Sequence, residues 1–354
     1  MHEHNFAEEQ HDLNEIMSAF GVHEWNNLGP ADSAHTGLLS LLVEIQGQRY
    51  ILKERSQGLI EEDSGHRYRF QRFLQQAGIP IPALWLTAQG EPVVTMGEDP
   101  FELQQWVDGQ RFTTDNLAWV AAAGTLLGQL HQASRRYPGP QHRWPTEVQP
   151  GGLVQGWLNL ARSKAEQTEI QAIAAALSNW VDEWEALLPA AMMSIGASRG
   201  LPEFHIHGDY HALNLRFGPQ GVHAVLGLDA SRWEKRIIEL AYGLFYFSAL
   251  EWQADTTFTC PLVKRGFDPE RAHCFLQAYG AVYPPVPGEA AVLADALMLV
   301  APIVTVNGPL EDIFFAPEGA EEPLIEDVME RLAWASSFPA WLNRVRRSLP
   351  EMWG

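Results

Sequence analysis

Apolar residues recur at helical spacing through residues 9–21, EQHDLNEIMSAFG, and the run stops at Gly21, which predicts a short opening helix. The period then changes. In residues 37–55, GLLSLLVEIQGQRYILKER, two β-rich runs flank a Gly-containing QGQ, the pattern of a hairpin of adjacent antiparallel strands. Helical spacing returns in residues 64–77, SGHRYRFQRFLQQA, and ends at Gly78 and the IPIP segment. ALWLTAQGEPVVTM supplies two more short strand candidates around a turn, and FELQQWV at 101–107 reads as another strand or as the connection out of the sheet. Residues 1–105 therefore read as a small α+β unit.

Beyond Asp108 and Gly109 the pattern is mainly helical. NLAWVAAAGTLLGQLHQA at 116–133 carries an apolar stripe, RRYPGPQHRWP is a loop, and residues 155–189 hold one or two more helices. A strand-like stretch at 203–206 precedes LNLRF and HAVLGLD, two extended runs around a GPQG turn, which predict a second hairpin. Residues 237–350 return to helical segments broken by PPVPG, NGPLED and PEGAEEP, and no fixed-period repeat occurs. The organisation expected is a sheet lobe over 1–105 and a larger helical lobe over 106–354.

Composition narrows the function classes. The 354 residues are 46% hydrophobic, enough apolar surface for a core without disulfide staples. Lys plus Arg number 24 against 44 Asp plus Glu, a formal charge of -20 with no basic run, which argues against a nucleic-acid partner. The two cysteines, Cys260 and Cys274, have no CxxC spacing, so a thiolate zinc site is disfavoured. The opening MHEHNFAEEQ lacks the basic start and apolar run of a secretory signal, and LLSLLVEI and ALMLVAPIVTV are too short to span a bilayer. A soluble cytoplasmic protein with no membrane partner is expected.

The densest reactive text is HIHGDYHALN, where His205, His207, Asp209, His211 and Asn214 fall within ten residues. Three readings fit its spacing. In phosphoryl transfer, Asp209 would orient the proton of an acceptor hydroxyl while Asn214 and Asp229, at the two ends of the hairpin, hold a divalent cation. In a metal hydrolase, His205, His207 and Asp209 alternate along a strand as a zinc or iron set, although Gly208 suggests a loop. In the plain structural reading, the histidines cap loops and the aspartates sit in turns.

HGDYHALN at 207–214, followed by VLGLD at 225–229, resembles the signature of the aminoglycoside phosphotransferase and choline-kinase-like superfamily, near its homoserine-kinase-like and CotS-like branches. The resemblance extends over roughly residues 35–250. It implies a protein-kinase-like fold with a five-stranded N-terminal sheet lobe and a largely helical C-terminal lobe, with ATP bound between them and a small hydroxylated molecule as acceptor. Carried over by position, Asp209 matches the catalytic base, Asn214 a Mg2+ ligand, Asp229 the principal Mg2+ ligand, and His207 the structural histidine that opens the catalytic loop. Lys53, one of only four lysines, matches the nucleotide lysine that contacts the α- and β-phosphates.

The same alignment places the expected acidic partner of Lys53 at Arg67, which cannot pair with it by charge, so Glu62 is the substitute among Glu61, Glu62 and Asp63. Ser33, His35 and Thr36 lie where a phosphate-covering loop is expected. Residues from Met96 to Trp106 correspond to the connection between lobes, where adenine would take backbone hydrogen bonds, and Ile51 is a candidate to sandwich the base. Glu239 stands where the family carries a later Asp and is expected to support the catalytic loop. A catalytically weak kinase-like scaffold or spore-coat-like structural protein is the alternative outcome.

Overall fold

A computed structural model of the protein describes residues 6–31, 39–55, 64–252, 267–315 and 323–353. They form an N-terminal antiparallel sheet lobe and a larger helical C-terminal lobe, the arrangement of a bilobal kinase-like fold. Two compact units are distinguished: residues Met1–Gly109 with His223–Asp229, and Gln110–Val222 with Ala230–Gly354.

The first unit holds α1 (Phe6–Ala19), β1 (Asn26–Pro30), β2 (Ser40–Ile45), β3 (Gln48–Glu54), α2 (Ser64–Gln76), β4 (Val93–Met96) and β5 (Asp99–Gln105). The five strands are ordered β1-β2-β3-β5-β4 and are antiparallel throughout. The two residues between β2 and β3, Gln46 and Gly47, both have positive φ, at 52° and 76°, as a two-residue turn matched to strand twist requires. Alternation along β2 buries Leu41, Val43 and Ile45, which join Leu52 and Leu103 in one apolar layer. Leu13, Ile16 and Met17 of α1, with Phe20 just after it, belong to the same layer, so the opening helix covers one face of the sheet.

Two sequence expectations are corrected in this unit. ALWLTAQGEPVVTM yields one strand, β4, while its first half makes only a single bridge, Leu84 to Gln104. Pro80 and Pro82 just upstream have no N–H to donate, which keeps this edge from forming a full ladder. FELQQ at 101–105 falls in β5, the strand reading of that text, so the stretch that begins at Met96 is sheet and not a connection; Met96 closes β4 opposite Asp99, packed against the apolar layer. The link out of the sheet therefore begins after Gln105.

Beyond Gly109 the chain contains α3 (Leu117–Ser134), α4 (Pro150–Gln167), α5 (Gln171–Ala197), β6 (Glu203–Ile206), β7 (Leu215–Gly218), β8 (Gly221–Val225), β9 (Arg232–Lys235) and α6 (Arg236–Ser248). It continues with α7 (Pro269–Val282), α8 (Leu293–Val306), α9 (Glu311–Phe315), α10 (Ile325–Val345) and α11 (Leu349–Trp353). β7 and β8 form the hairpin predicted around GPQG, and β6 pairs with β9, a strand the sequence reading passed over. Every residue of α8 is buried, which explains its unbroken apolar text: it is a central core helix. No described helix is long and apolar enough to cross a membrane. Helices α3 and α7 approach so closely that a Cβ at Gly124 would lie 2.4 Å from the Phe275 carbonyl oxygen. Only glycine allows that contact.

Candidate active site

The β6–β9 pairing sets the register of the reactive loop, with Ile206 opposite Arg232 and His205 opposite Trp233. The chain leaves β6 and turns at Gly208, whose φ of +86° and whose approach to Ala230 exclude a side chain; a Cβ there would stand 1.9 Å from the Ala230 carbonyl oxygen. This turn presents Asp209. Its Oδ1 accepts from the Tyr242 hydroxyl at 2.9 Å, and its Oδ2 accepts from Asn214 Nδ2 at 2.8 Å. Asn214 Nδ2 also donates to the Asp209 carbonyl at 2.8 Å, so Asp209 and Asn214 are locked together by the short 3-10 turn at Ala212–Asn214.

His211 Nδ1 accepts from the Leu213 N–H at 3.2 Å, which leaves its Nε2–H to face Asp209 Oδ2 at 3.2 Å. His207, fully buried, accepts from the Asp209 N–H through Nδ1 at 3.2 Å. Burial raises the Asp209 pKa, but His211 and His207 together with the Tyr242 hydrogen bond outweigh it and hold the carboxyl well below the usual range. Asp209 is thus a half-buried, ionised carboxylate fixed by its donors, able to accept a hydrogen bond from a hydroxyl.

Behind the loop lies a buried polar chain. Arg236 Nη1 donates to the Tyr279 hydroxyl at 3.3 Å, and that hydroxyl meets His131 Nδ1 at 2.8 Å. His131 Nε2 meets Glu239 Oε2 at 2.8 Å. Burial pushes the His131 pKa down, so the ring is a neutral imidazole that accepts at Nδ1 and donates at Nε2. Glu239 then accepts from the backbone N–H groups of His207, at 3.0 Å, and of Gly208. Burial raises the Glu239 pKa, but the donors around it outweigh that effect and keep it below the ordinary carboxylate range. Arg236 is itself fixed by Glu289, with Nε to Oε1 at 2.7 Å and Nη2 to Oε2 at 2.5 Å. The chain transmits rigidity from α6 and α7 to the turn that carries Asp209.

Gly208→Ala is expected to cost about 1–3 kcal/mol from the left-handed backbone alone, and more from the overlap with Ala230. Thermal unfolding would show the loss, and turnover should fall with it because Asp209 is the next residue.

The first unit carries a second charged cluster. Lys53, on β3, lies opposite Glu102 of β5, and its Nζ reaches Gln104 Oε1 at 3.4 Å. Glu102 is buried and accepts from Arg67 Nη2 at 2.9 Å, Arg55 Nη1 at 3.4 Å and the Tyr68 hydroxyl at 3.1 Å. Burial raises its pKa, but the charges of Arg67, Arg55 and Lys53 outweigh that and hold it ionised. Arg55 and Arg67 both also engage Oδ1 of Asp229, whose side chain is 35% exposed. Glu102, Arg55 and Tyr68 were missed by sequence reasoning. The one signal available was the arginine standing where an acid was expected: Arg67 on α2 and Glu102 on β5 carry the charges in exchanged places.

Of the other residues read from sequence, Ile51 lies in β3 between Leu42 and Gln104, partly exposed. Ser33 and Glu62 lie outside the described residues. His205 is fully buried, accepts from the His142 N–H at 3.3 Å and packs edge-on against Tyr137 and Trp233. It is a core residue, and among the described residues no group of three His, Cys, Asp or Glu is placed to hold a metal ion, which removes the basis for the hydrolase set. Trp180 and Trp184 are also core residues, Trp157 packs on Phe315, and Trp144 lies under the Arg232 guanidinium at 5.1 Å. These indoles do not form an aromatic cage.

Each unit holds one oxygen donor of the kind a hard divalent cation takes. Asn214 commits Nδ2 to Asp209, so Oδ1 is the atom that can offer a lone pair, and Asp229 is a partly exposed carboxylate. One amide oxygen and one carboxylate, completed by phosphate oxygens, is a common protein share of a Mg2+ shell.

No curated protein sequence matches the chain significantly. Among solved structures, the amicoumacin kinase hAmiN in complex with AMP-PNP, Ca2+ and Ami is similar over 96% of both chains at 17% identity and a TM-score of 0.65. An aminoglycoside phosphotransferase from Alicyclobacillus acidocaldarius is similar over 96% of both chains at 16% identity and a TM-score of 0.63. A microcompartment-associated aminopropanol kinase is similar over 96% of this chain and 98% of its own at 14% identity and a TM-score of 0.64. At these identities the likeness is one of fold. Residues 38–288, which hold Lys53, Asp209, Asn214 and Asp229, match the model of the phosphotransferase enzyme family, and the chain belongs to that family.

Proposed function

We propose that the protein transfers the γ-phosphate of ATP to a hydroxyl group of a small molecule. The observation that carries this reading is Asp209: a carboxylate kept ionised by His211, His207 and Tyr242, immobilised by Asn214 and open to a cavity of the second unit. An acceptor hydroxyl donating to Asp209 is oriented for attack and has a base for its proton. Tyr242 and Asn214 hold the two carboxylate oxygens, and Glu239 fixes the turn through the His207 and Gly208 N–H groups. Asn214 and Asp229 would hold Mg2+, which would neutralise charge on the phosphates.

Lys53 is the proposed phosphate contact. Glu102, opposite Lys53 across the β3–β5 pair, is the proposed negative charge beside it, with Glu62 remaining the candidate from the helix side. Ile51 is the proposed apolar contact for adenine, and Ser33 the proposed polar contact in the phosphate-covering loop. Met96 drops out of the adenine contacts because it serves the β4–β5 hairpin and the apolar layer.

Lys53→Met is expected to weaken MgATP binding at least about tenfold, the loss of one charge-assisted contact, in titration calorimetry. Unchanged affinity would remove Lys53 from the nucleotide site. One observation favours a second reading, a kinase-like scaffold with weak turnover: Arg55 and Arg67 both lie on Asp229 Oδ1, the residue the reaction needs for its metal.

A further inference from the structure

A cavity of about 190 Å³ opens beside Asp209, wholly within the second unit. It falls below the roughly 300–1,000 Å³ of a drug-sized site, so it holds a molecule of few heavy atoms. Much of its wall is apolar, with Leu153, Ile238, Val300 and Ile303 facing it along with Val148 and Pro150. The charged groups are Asp209, Glu239 and Arg232. Glu239 is consumed by His131 and the loop N–H groups.

Arg232 is different. It is 7% exposed, and Nη1 donates to the carbonyls of Ala230 at 3.2 Å and Gly208 at 3.4 Å. Its Nε is buried with no hydrogen-bond partner, and its guanidinium carbon lies over the Trp144 ring, 5.1 Å from the ring centre. A buried N–H of a charged group left without an acceptor is costly, and a planar guanidinium edge is the natural partner of a carboxylate.

We propose that the acceptor is a small hydroxy carboxylic acid, its carboxylate bound by Arg232, its hydroxyl on Asp209 and its hydrocarbon body against Ile238, Val300 and Ile303. This rests on the phosphotransfer reading of Asp209 and adds the charge of the acceptor. A polycationic amino sugar is disfavoured by the same observations: the cavity is too small and offers no acid beyond Asp209 and the engaged Glu239. The reaction conserves its atoms simply. The acceptor O–H bond breaks, its proton passes to Asp209, the new O–P bond forms, and ADP leaves with the electrons of the broken O–P bond.

The test pairs turnover with binding. ATP-dependent phosphorylation is measured on short hydroxy acids, their amides and the matching amino alcohols. Thermal shift is measured with the corresponding carboxylic acids that lack the hydroxyl. Hydroxy acids are expected to exceed their amides at least about tenfold in kcat/KM, and the hydroxyl-free acids to raise the unfolding temperature. Arg232→Met should abolish both preferences, acting chiefly on KM, and Arg232→Lys should keep part of the binding because the charge remains. Should Arg232→Met not fold, the wild-type panel and Arg232→Lys still decide. Turnover that favours amides or amino alcohols overturns the acceptor class and leaves phosphotransfer standing. Carboxylate binding that depends on Arg232 without turnover on any acceptor supports the site while sinking the reaction. A carboxylate effect equal in wild type and Arg232→Lys, or no carboxylate effect at all, overturns the proposal.

Discussion

Asp209→Asn is expected to lower turnover by about 10²–10⁴-fold, the range for loss of a positioned general base, with little change in MgATP affinity. The substitution keeps the shape of the side chain and an oxygen for the Tyr242 hydroxyl, now at 2.9 Å from Oδ1. It removes the negative charge and the ability to take a proton. If Asp209 only shaped the turn, the loss would follow stability, because the amide keeps the Tyr242 contact but turns an NH2 toward the donors Asn214 Nδ2 and His211 Nε2–H. Steady-state kinetics with a saturating acceptor separates these roles, since a loss in kcat marks transition-state chemistry.

Glu239→Ala has the largest expected effect on stability, about 3–5 kcal/mol, because it strands three donors inside the protein: His207 N–H, Gly208 N–H and His131 Nε2–H. Denaturant unfolding at neutral pH measures it. The pH dependence has a defined sign. The folded Glu239 pKa lies below the ordinary carboxylate value, so its contribution is fully present above the unfolded pKa of about 4.3 and is lost as pH falls through the folded value. The gap between wild type and Glu239→Ala should be flat from about pH 8 to 5 and shrink below about pH 4. A gap that grows on acidification would show that His131, not Glu239, carries the charge of the pair.

Much of the architecture is legible because its signals are local. The QGQ and GPQG turns sit between β-rich runs, and the residues that build the Asp209 loop fall within ten positions, so one turn and one short 3-10 segment bring them together. The support of that loop is less visible. Glu239 is thirty-odd positions downstream and His131 more than seventy upstream, and only the packing of α3, α6 and β6 joins them. Nothing in the text RWEKRII marks Arg236 as a core residue, yet it is fully buried against Glu289.

The cluster at Lys53 shows the same limit from another side. Its members come from β3, α2, β5 and the segment ending at Asp229, and a search restricted to the helix after β3 does not reach Glu102. β-Pairing puts Glu102 opposite Lys53, a relation set by strand register and not by sequence distance. β9 was overlooked because four residues, RWEK, carry little apolar alternation; its partner β6 and the buried Arg232 give it its place.

The most direct measurement follows the phosphorus itself. Wild-type protein with Mg2+, ATP and a mixture of short hydroxylated acceptors is monitored by phosphorus NMR, beside Asp209→Asn under the same conditions. The account predicts a phosphomonoester resonance and ADP appearing together in the wild type and suppressed by about 10²-fold or more in the variant. ADP formation with free phosphate only, or a phosphomonoester formed equally by both proteins, would contradict transfer from ATP to a hydroxyl held by Asp209.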